Sequence, residues 1–316
     1  MLTGEEIAGE LGRTFGGFEA AGLPPGTDWV RGKVRDIIRL PGELIISTTD
    51  RISAFDRVLG ELPFKGEILN TLSLHWFALT GDILPNHILE SLSPRTVRVR
   101  RCRVLPVEVV VRGYLSGSAW RDYEAGREIS GLRLPPGLKE NQKLPQPLIT
   151  PSTKEDQGHD RPLSVEEILR TGLVEGKVWA QVERAALALF ERGTRELAPR
   201  NLLLADTKYE FGLYQGELIL ADEIHTPDSS RFWFADSYPG LFEASRPPQG
   251  IDKEYLRRWL MEAGFMGNGP VPFIPPEVWI ETARRYLQAY ELLTGGPFIP
   301  HGAGKEEEAA VLRAAL

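Results

Sequence analysis

The segment Leu202 to Glu223, LLLADTKYEFGLYQGELILADE, constrains the fold more than any other. Two apolar runs separated by Tyr214-Gln-Gly216 read as a β-hairpin. Side chains alternate across a strand, so Asp206, Lys208 and Glu210 fall on one face, beside Leu202 and Leu204. A turn with an odd number of residues, Gln215-Gly216-Glu217, pairs Tyr214 with Leu218 and sets Glu210 opposite Asp222; a two-residue turn puts those two carboxylates on opposite faces. The odd turn is the expectation, because it gathers Glu210 and Asp222 into one cluster with Asp206 and Lys208. Like charges directly across a ladder destabilise it, so such a cluster needs a cation. Hard oxygen donors without cysteine favour magnesium. Alternating charge on a hairpin also describes an ordinary solvated face.

Directly after Asp222 comes Glu-Ile-His-Thr-Pro-Asp-Ser-Ser-Arg231, a loop dense in Asp228, Ser229, Ser230 and Arg231. Such loops at strand ends suit anion and metal binding, and the same residues also build plain turns. Upstream, Val111-Arg-Gly-Tyr-Leu-Ser-Gly-Ser-Ala-Trp120 reads as a buried strand delivering Arg112 to its end, with a helix starting near Ser118. An arginine beside a helix N-terminus suits a phosphate, with Ser118 donating a further hydrogen bond. The alternative pairs Arg112 with a core carboxylate and leaves Ser118 as a cap. Arg31-Gly-Lys-Val-Arg-Asp36 is not a Walker A loop, yet its glycine, backbone and Lys33 could meet a triphosphate; an exposed edge strand fits it too. His159 and His225 stand alone and read as loop or structural residues. Trp76, Trp120, Trp179, Trp259 and Trp279 read as core, and Asp50 to Asp56 as a polar surface loop.

The rest of the chain supplies a mixed frame. Thr3 with Glu6 predicts a capping box opening a helix that Gly16-Gly17 ends. Val30 to Leu40 and Glu43 to Thr49 predict two strands joined at Pro41-Gly42, and Leu69 to Leu79 a helix stopping at Gly81. Thr96 to Val111 reads as a strand that turns continuously apolar, as buried strands do. The proline-rich run Leu132 to Asp160 is too long for a mere connector and is expected to lie over a site. Ser164 and Glu167 predict a second capping box. Val178, Val182, Ala186, Leu189, Phe190 and Leu197 mark one face of a helix running to Pro199. Helices ended by glycine are expected from about Asp252 to Gly264 and from Pro276 to Gly295. The charged tail after Pro300 is expected to be loosely held.

Composition narrows the function classes. At 316 residues and 42% hydrophobic, the chain has material for a large core. A net charge of −7, spread rather than blocked, argues against a general affinity for nucleic acid. Cys102 is the one cysteine, which excludes an intramolecular disulfide and fits a reduced, cytoplasmic compartment. The first residues are too weakly apolar for a signal peptide, and no run approaches the roughly eighteen apolar residues of a membrane span.

Several segments together carry a resemblance: GKVRD at 32–36, STTDRISAFD at 47–56, VVRGYLSGSAW at 110–120, TPSTK with GHD at 150–160, LADTKYEFG at 204–212 and LADEIHTPDSSRFW at 220–233. They resemble the phosphoribosylaminoimidazole-succinocarboxamide synthase (SAICAR synthetase) family, from about Gly32 to YELLTG at 290–295. The two hairpin segments are specific, whereas GKVRD by itself is weak. The resemblance implies an α+β fold with a kinase-like antiparallel N-terminal lobe (1–108), a larger second lobe of sheet and helices (109–316), and ATP between them. It implies a ligase of purine biosynthesis, joining a carboxylated aminoimidazole ribonucleotide to L-aspartate with ATP and magnesium. By the same resemblance Glu210 and Asp222 hold magnesium, Gly32, Lys33 and Lys208 contact ATP phosphates, and Arg112, Ser118 and Arg231 hold the nucleotide's 5′-phosphate. Asp228 lies beside the substrate as a third catalytic candidate with Lys33 and Lys208. Asp36, Asp50 and Asp228 are the candidates for accepting the amine proton, and Asp252 with Lys253 is either an aspartate contact or a helix cap. DEIHTPD carries one residue more than the shorter DEFSPD-like forms. The rival readings are a small-molecule or protein kinase, for which HRD and DFG runs are missing, and a non-catalytic nucleotide-binding module. A homo-oligomer is compatible with the sequence.

Overall fold

A computed structural model describes residues 2–19, 23–154, 161–251, 254–301 and 304–316. His159, the GHD segment, Asp252 and Lys253 lie outside the described residues. In chain order the elements begin with α1 (Gly4–Glu10), β1 (Trp29–Arg31), β2 (Arg35–Leu40), β3 (Glu43–Thr48), β4 (Arg51–Ala54) and β5 (Arg57–Glu61). Next come α2 (Lys65–Thr80), β6 (Ile88–Ser91), β7 (Thr96–Arg100), β8 (Arg103–Tyr114), α3 (Gly117–Glu124) and β9 (Lys143–Thr153). Then follow α4 (Val165–Arg170), α5 (Gly176–Leu197), β10 (Leu202–Tyr214), β11 (Glu217–Ala221) and β12 (Ser230–Phe234). Last are α6 (Tyr238–Glu243), α7 (Glu254–Glu262), α8 (Pro276–Thr294) and α9 (Lys305–Ala315). No described helix is long and apolar enough to cross a membrane.

The elements fall into two units that are discontinuous in sequence. One comprises residues 1–75, 87–101 and 251–316, the other 76–86 and 102–250. This grouping differs from a single cut at 108/109, because the C-terminal helices pack with the N-terminal strands.

The first unit is built on the antiparallel sheet β1-β2-β3-β7-β6, with β4-β5 as a separate hairpin. The expected strand Val30 to Leu40 is in fact two: Arg31 pairs with Asp36, so Gly32 to Val34 form a tight turn between β1 and β2. Gly32 donates its N–H to the Arg35 carbonyl at 2.7 Å, and a Cβ at Gly32 would lie at the same distance from that oxygen. The expected surface loop at 50–56 is likewise β4 and the start of its hairpin. Asp50 and Arg51 are buried there, drawn inward by partners described below, while Asp56 stays exposed. The predicted strand 96–111 breaks at Arg101-Cys102, where the chain passes from β7 to β8. The tail is not loose. In α9, one turn apart, Glu308 and Leu312 are both fully buried. Leu312 packs with Phe15, Phe18, Ile38 and Ile45, while Glu308 accepts hydrogen bonds from Ser93 and Thr96 at 2.8 Å each. Its pKa is raised by that burial, against the pull of the two hydroxyls and Arg95.

The second unit carries the sheet β11-β10-β8-β9, with β12 also on β10. β11 pairs with the distal half of β10 and β12 with its proximal half. The proline-rich run supplies β9, antiparallel to β8, so it is part of the sheet rather than a cover alone. Helix α5 lies against this sheet with Trp179, Val182, Ala186, Leu189, Phe190 and Leu197 buried. It approaches closely: a Cβ at Gly113 would stand 3.0 Å from the Phe190 ring. The Ser164 cap forms, accepting from the Glu167 N–H at 3.0 Å, but the Glu167 carboxylate turns to Arg161 and the reciprocal half of the box is not made. Of the five tryptophans read as core, Trp76 and Trp179 are buried, while Trp120, Trp259 and Trp279 are half-buried.

Candidate functional site

The hairpin turn is the two-residue one. Tyr214 pairs with Glu217 across Gln215-Gly216, both at positive φ (53° and 87°), so Glu210 faces Ala221 and not Asp222. The expected ladder pair of Glu210 with Asp222 is therefore absent. Asp222 stands one residue past β11 with φ of 68°, where strand alternation no longer decides which way its side chain points. The pairing of β10 with β12 also slips between Leu204 and Asp206. That slip separates the ionic face from the leucines. Leu204 packs on Gly193 of α5 together with His225, the partner of Tyr209, while Ala205 lies with Tyr114 and Trp233. Asp206, Lys208 and Glu210 occupy the other side, as their partners show.

At the near end of that face is a cation-rich cluster. Arg112 of β8 lies across the ladder from Asp206. Its Nε donates to Thr150 Oγ1 at 2.9 Å, its Nη2 to Ser118 Oγ at 3.0 Å, and its Nη1 is 3.5 Å from Asp206 Oδ2. Arg231 of β12 reaches the same Asp206 oxygen at 2.5 Å and Ser116 Oγ at 3.4 Å. Its guanidinium lies over Gly117, the first residue of α3: a Cβ there would meet Nη2 at 2.5 Å, and the glycine holds φ of 61°. Burial lowers the Arg112 pKa; Asp206 works against that, and Arg231 adds to it. Two guanidiniums converge on one Asp206 oxygen beside a helix N-terminus, an arrangement of donors that suits a phosphate. Arg112, Ser118 and Arg231 are thus brought together as expected. Asp206, expected from the sequence to join the cluster of Glu210, Asp222 and Lys208, instead holds the two arginines in register. The alternative of a core carboxylate pairing Arg112 is realised at the same time, by that residue.

At the far end is a lysine and carboxylate cluster. Lys208 Nζ is 2.6 Å from Glu108 Oε1 and 3.6 Å from Glu210 Oε1, and Lys154 pairs with the other Glu210 oxygen. Burial penalises the Lys208 ammonium, but Glu210, Glu108 and Glu223 more than offset this and its pKa is raised. Glu210 and Glu108 are direct ladder partners. The like-charge pair inferred for the hairpin therefore exists on the opposite edge of β10, offset by two lysines. Glu108 and Lys154 were both missed as site residues. The available signal was Glu108 as the one charge within VLPVEVVV at 104–111, and Lys154 closing TPSTK.

The loop from Asp222 to Ser230 spans these clusters. Thr226 organises it, donating to Glu223 Oε2 at 2.7 Å and accepting from the Asp228 and Ser229 N–H groups. Asp228 thereby sits in the turn entering β12. His225 is fully buried, with φ of 50°; its Nε2 is 2.6 Å from the Tyr209 hydroxyl and its ring stands edge-on to Trp76. Burial pushes its pKa down to about 3, so the imidazole is neutral and structural. Cys102 is half-buried, its thiol pKa raised by burial.

In the first unit, Lys33 sits in the β1-β2 turn, exposed and 2.6 Å from Asp56. Arg51 braces that turn, donating to the Lys33 and Gly32 carbonyls at 3.1 and 3.0 Å and to Asp36 at 2.7 Å. Asp36 and Asp50 are poor candidates for a base. Asp36 also accepts from Phe18 N–H, and Asp50 accepts from Phe15 N–H, Gly66 N–H and Arg95. Both are buried and fully engaged in holding the unit together.

Donor chemistry at the far cluster fits a hard divalent ion, since only carboxylate oxygens are offered. Among the described residues no three histidine, cysteine or acidic side chains gather as a metal cage. Magnesium commonly takes one or two protein carboxylates and completes its shell from phosphate and water, so Glu210 is the residue of this cluster that would hold it.

Comparison with known proteins identifies the family. The family model described as SAICAR synthetase matches residues 28–269. The phosphoribosylaminoimidazole-succinocarboxamide synthase of Bacteroides thetaiotaomicron is 46% identical over 274 residues, 85% of this chain and 87% of that one. A putative second such synthase of Mesorhizobium japonicum is 48% identical over 290 residues, 89% and 93% of the two chains. Among solved structures, the SAICAR synthase of Saccharomyces cerevisiae complexed with SAICAR superposes with a TM-score of 0.78 at 32% identity, covering 88% of this chain and 99% of that one. A SAICAR synthetase in complex with ADP gives 0.67 at 25% identity, covering 86% and 100%. The chain belongs to the SAICAR synthetase family.

Proposed function

We propose that the two clusters on β10 divide the work of the family's reaction. That reaction is the ATP-dependent ligation of aminoimidazole carboxylate ribonucleotide with L-aspartate in purine biosynthesis. In this reading Arg112, Ser118 and Arg231 grip the ribonucleotide's 5′-phosphate, with Asp206 fixing the fork geometry of both arginines. The grip is remote from the bond that forms, so its binding energy can be used to align the reacting carboxylate. Lys208 neutralises charge on the ATP phosphates, and the family resemblance gives Lys33 the same role. Gly32 lets the Lys33 turn fold back on Arg35, which a side chain at that position would prevent.

A carboxylate is a poor electrophile, so the γ-phosphoryl group is transferred to it first, and the aspartate amine then attacks the acyl phosphate. Such transfers need positioning and charge neutralisation more than a covalent protein group, which accounts for a site of lysines, arginines and carboxylates. Glu210 and Asp222 are the residues that would hold magnesium, and the chemistry it supplies when bound is neutralisation of phosphate oxygens. Asp228, in the turn before β12, is placed beside the ribonucleotide.

The observation that carries this reading is that one strand bears, at alternate positions, the carboxylate shared by two arginines and the lysine faced by carboxylates. The test is a coupled ADP-release assay with the ribonucleotide. Turnover should require L-aspartate and magnesium. Aspartate-independent ADP release would mark a kinase and overturn the assignment.

A further inference from the structure

The turn between β1 and β2 rests on a polar layer. Arg31 pairs with Asp36, and the Gly32 N–H donates to the Arg35 carbonyl, which sets the ends of the turn but not the peptide planes at its tip. The carbonyls of the tip are held from below by two residues at the start of the next hairpin. Arg51, the first residue of β4, donates from Nη2 to Gly32 at 3.0 Å and from Nε to Lys33 at 3.1 Å. Thr49, between β3 and β4, donates to Val34 from its N–H at 3.0 Å and from its hydroxyl at 2.8 Å. The guanidinium is itself anchored, with Nη1 donating to the Gly16 carbonyl at 2.6 Å and Nη2 to Asp36 Oδ1 at 2.7 Å. Gly17 closes over it with φ of 107°; a Cβ there would stand 2.3 Å from both Arg51 Nη1 and Asp36 Oδ2. The peptide bonds of the described residues are trans, so each N–H is directed opposite the carbonyl of its own plane. Turning the Gly32 and Lys33 carbonyls toward Arg51 therefore turns the Lys33 and Val34 N–H groups away from it, on a turn whose tip residue, Lys33, is exposed. Two successive N–H groups aimed the same way are a concavity for an anion.

We propose that Arg51, assisted by Thr49, is a positioning residue for nucleotide binding. By holding the carbonyls of residues 32–34 from below, the two side chains aim the Lys33 and Val34 N–H groups at a nucleotide phosphate, beside the Lys33 ammonium. This rests on the reading, given by the family resemblance, that Gly32 and Lys33 contact the ATP phosphates. Neither Arg51 nor Thr49 touches the phosphate; both act through the backbone of the turn. A guanidinium suits the task because its rigid fork reaches several carbonyls at once, whereas an ammonium is a single point on a flexible stem. The ion pair with Asp36 has a separate consequence. It anchors the guanidinium to β2, and its loss is felt in stability.

The test is isothermal titration calorimetry with ADP and with adenosine, which needs no turnover, on wild type, Arg51→Lys, Thr49→Val, Thr49→Ser and Asp36→Asn, each checked by a thermal melt. Adenosine carries no phosphate, so a fault confined to the turn weakens ADP alone, while general damage weakens both ligands. Arg51→Lys should raise the Kd for ADP by about ten-fold or more and leave that for adenosine within about two-fold of wild type. Thr49→Val keeps the shape and removes the hydroxyl, and should raise the ADP Kd by about three-fold or more. Thr49→Ser keeps the hydroxyl and should stay within about two-fold of wild type; this pair decides the question where Arg51→Lys does not fold. Asp36→Asn keeps an acceptor for Arg51 and should lower the melting temperature with the ADP Kd within about two-fold of wild type. An unchanged ADP Kd in Arg51→Lys, or an equal loss of ADP and adenosine binding, would overturn the positioning role. Lys33→Met separates the two levels of the argument. If it leaves the ADP Kd unchanged, the reading of the turn as a phosphate contact is wrong; if it weakens ADP while Arg51→Lys and Thr49→Val do not, only the positioning role falls.

Discussion

Buried ion pairs in the two units have similar composition and different consequences. In the first unit Asp50 is shared by two backbone N–H groups and Arg95, and Asp36 by a backbone N–H and Arg51; the acidic groups are at most 1% exposed. Every oxygen there is consumed by the fold. In the second unit a single carboxylate, Asp206, serves two guanidiniums, and Lys208 keeps 32% of its side chain exposed while facing Glu108 and Glu210. Solvent can reach these groups, since Lys208 and Arg231 keep about a third of their side chains exposed. Burial of an ionic group therefore points to a site where part of the cluster stays in contact with solvent. Fully matched pairs are structural, and their removal is felt in stability.

The sharpest way to break this contrast is Glu210→Gln. Turnover in the ADP-release assay should fall by about 10³-fold or more, on the order of 4 kcal/mol in the barrier, with a folded enzyme remaining. Retained turnover with lost stability would place Glu210 among the structural pairs. Asp50→Asn should do the reverse. Leaving Arg95 buried with Glu308, 3.8 Å away, as its remaining counter-charge should cost about 1–3 kcal/mol in a denaturant titration, with the substrate KM values of the folded fraction unchanged.

Arg112→Lys sharpens the picture within the second unit. It keeps the charge and loses the fork that reaches Thr150, Ser118 and Asp206 together, so the ribonucleotide KM should rise by an amount worth about 1.5–3 kcal/mol, or roughly 10- to 160-fold. A change in kcat alone would argue against a phosphate grip. Gly193→Ala should lower stability by about 1–3 kcal/mol by pressing on His225 and Leu204, read as a reduced melting temperature.

The smallest effect is a pH dependence. The His225 pKa, pushed down to about 3 from an ordinary 6.5, means that the unfolded chain takes up the proton first. Its contribution is fully present above pH 6.5 and is lost as pH falls from there toward 3, by up to about 1.4 kcal/mol per pH unit. Urea unfolding at pH 7, 6 and 5 should show this slope in wild type and a shallower one in His225→Gln.

Much of the site was legible in the sequence, and what escaped has a common cause. Arg112 and Ser118 could be paired because a strand end meets the start of a helix there, whereas Arg231 joined them only through the family resemblance. Glu108 was hidden inside an apolar run, and its significance came only from the residue across the ladder, Glu210. The tail was misjudged because its composition is that of a solvated helix. Only Ser93, Thr96 and Arg95, more than two hundred residues upstream, make a buried Glu308 tolerable. Asp36 and Asp50 looked chemically available until their backbone donors, supplied by residues 15, 18 and 66, were in place.

Side-chain alternation along β10 needs nothing beyond the local chain, because pleating is a property of the backbone itself; the ionic stripe Asp206, Lys208, Glu210 and the anion-seeking Arg112 segment were readable on that ground. Which partner each charge meets could not be read in the same way. A two-residue turn in place of an odd one, one slipped residue at Leu204 to Asp206 and one left-handed residue at Asp222 each redirect a whole face. Such small shifts cost little locally and are selected by packing against α5 and β8, distant segments whose approach no local pattern encodes.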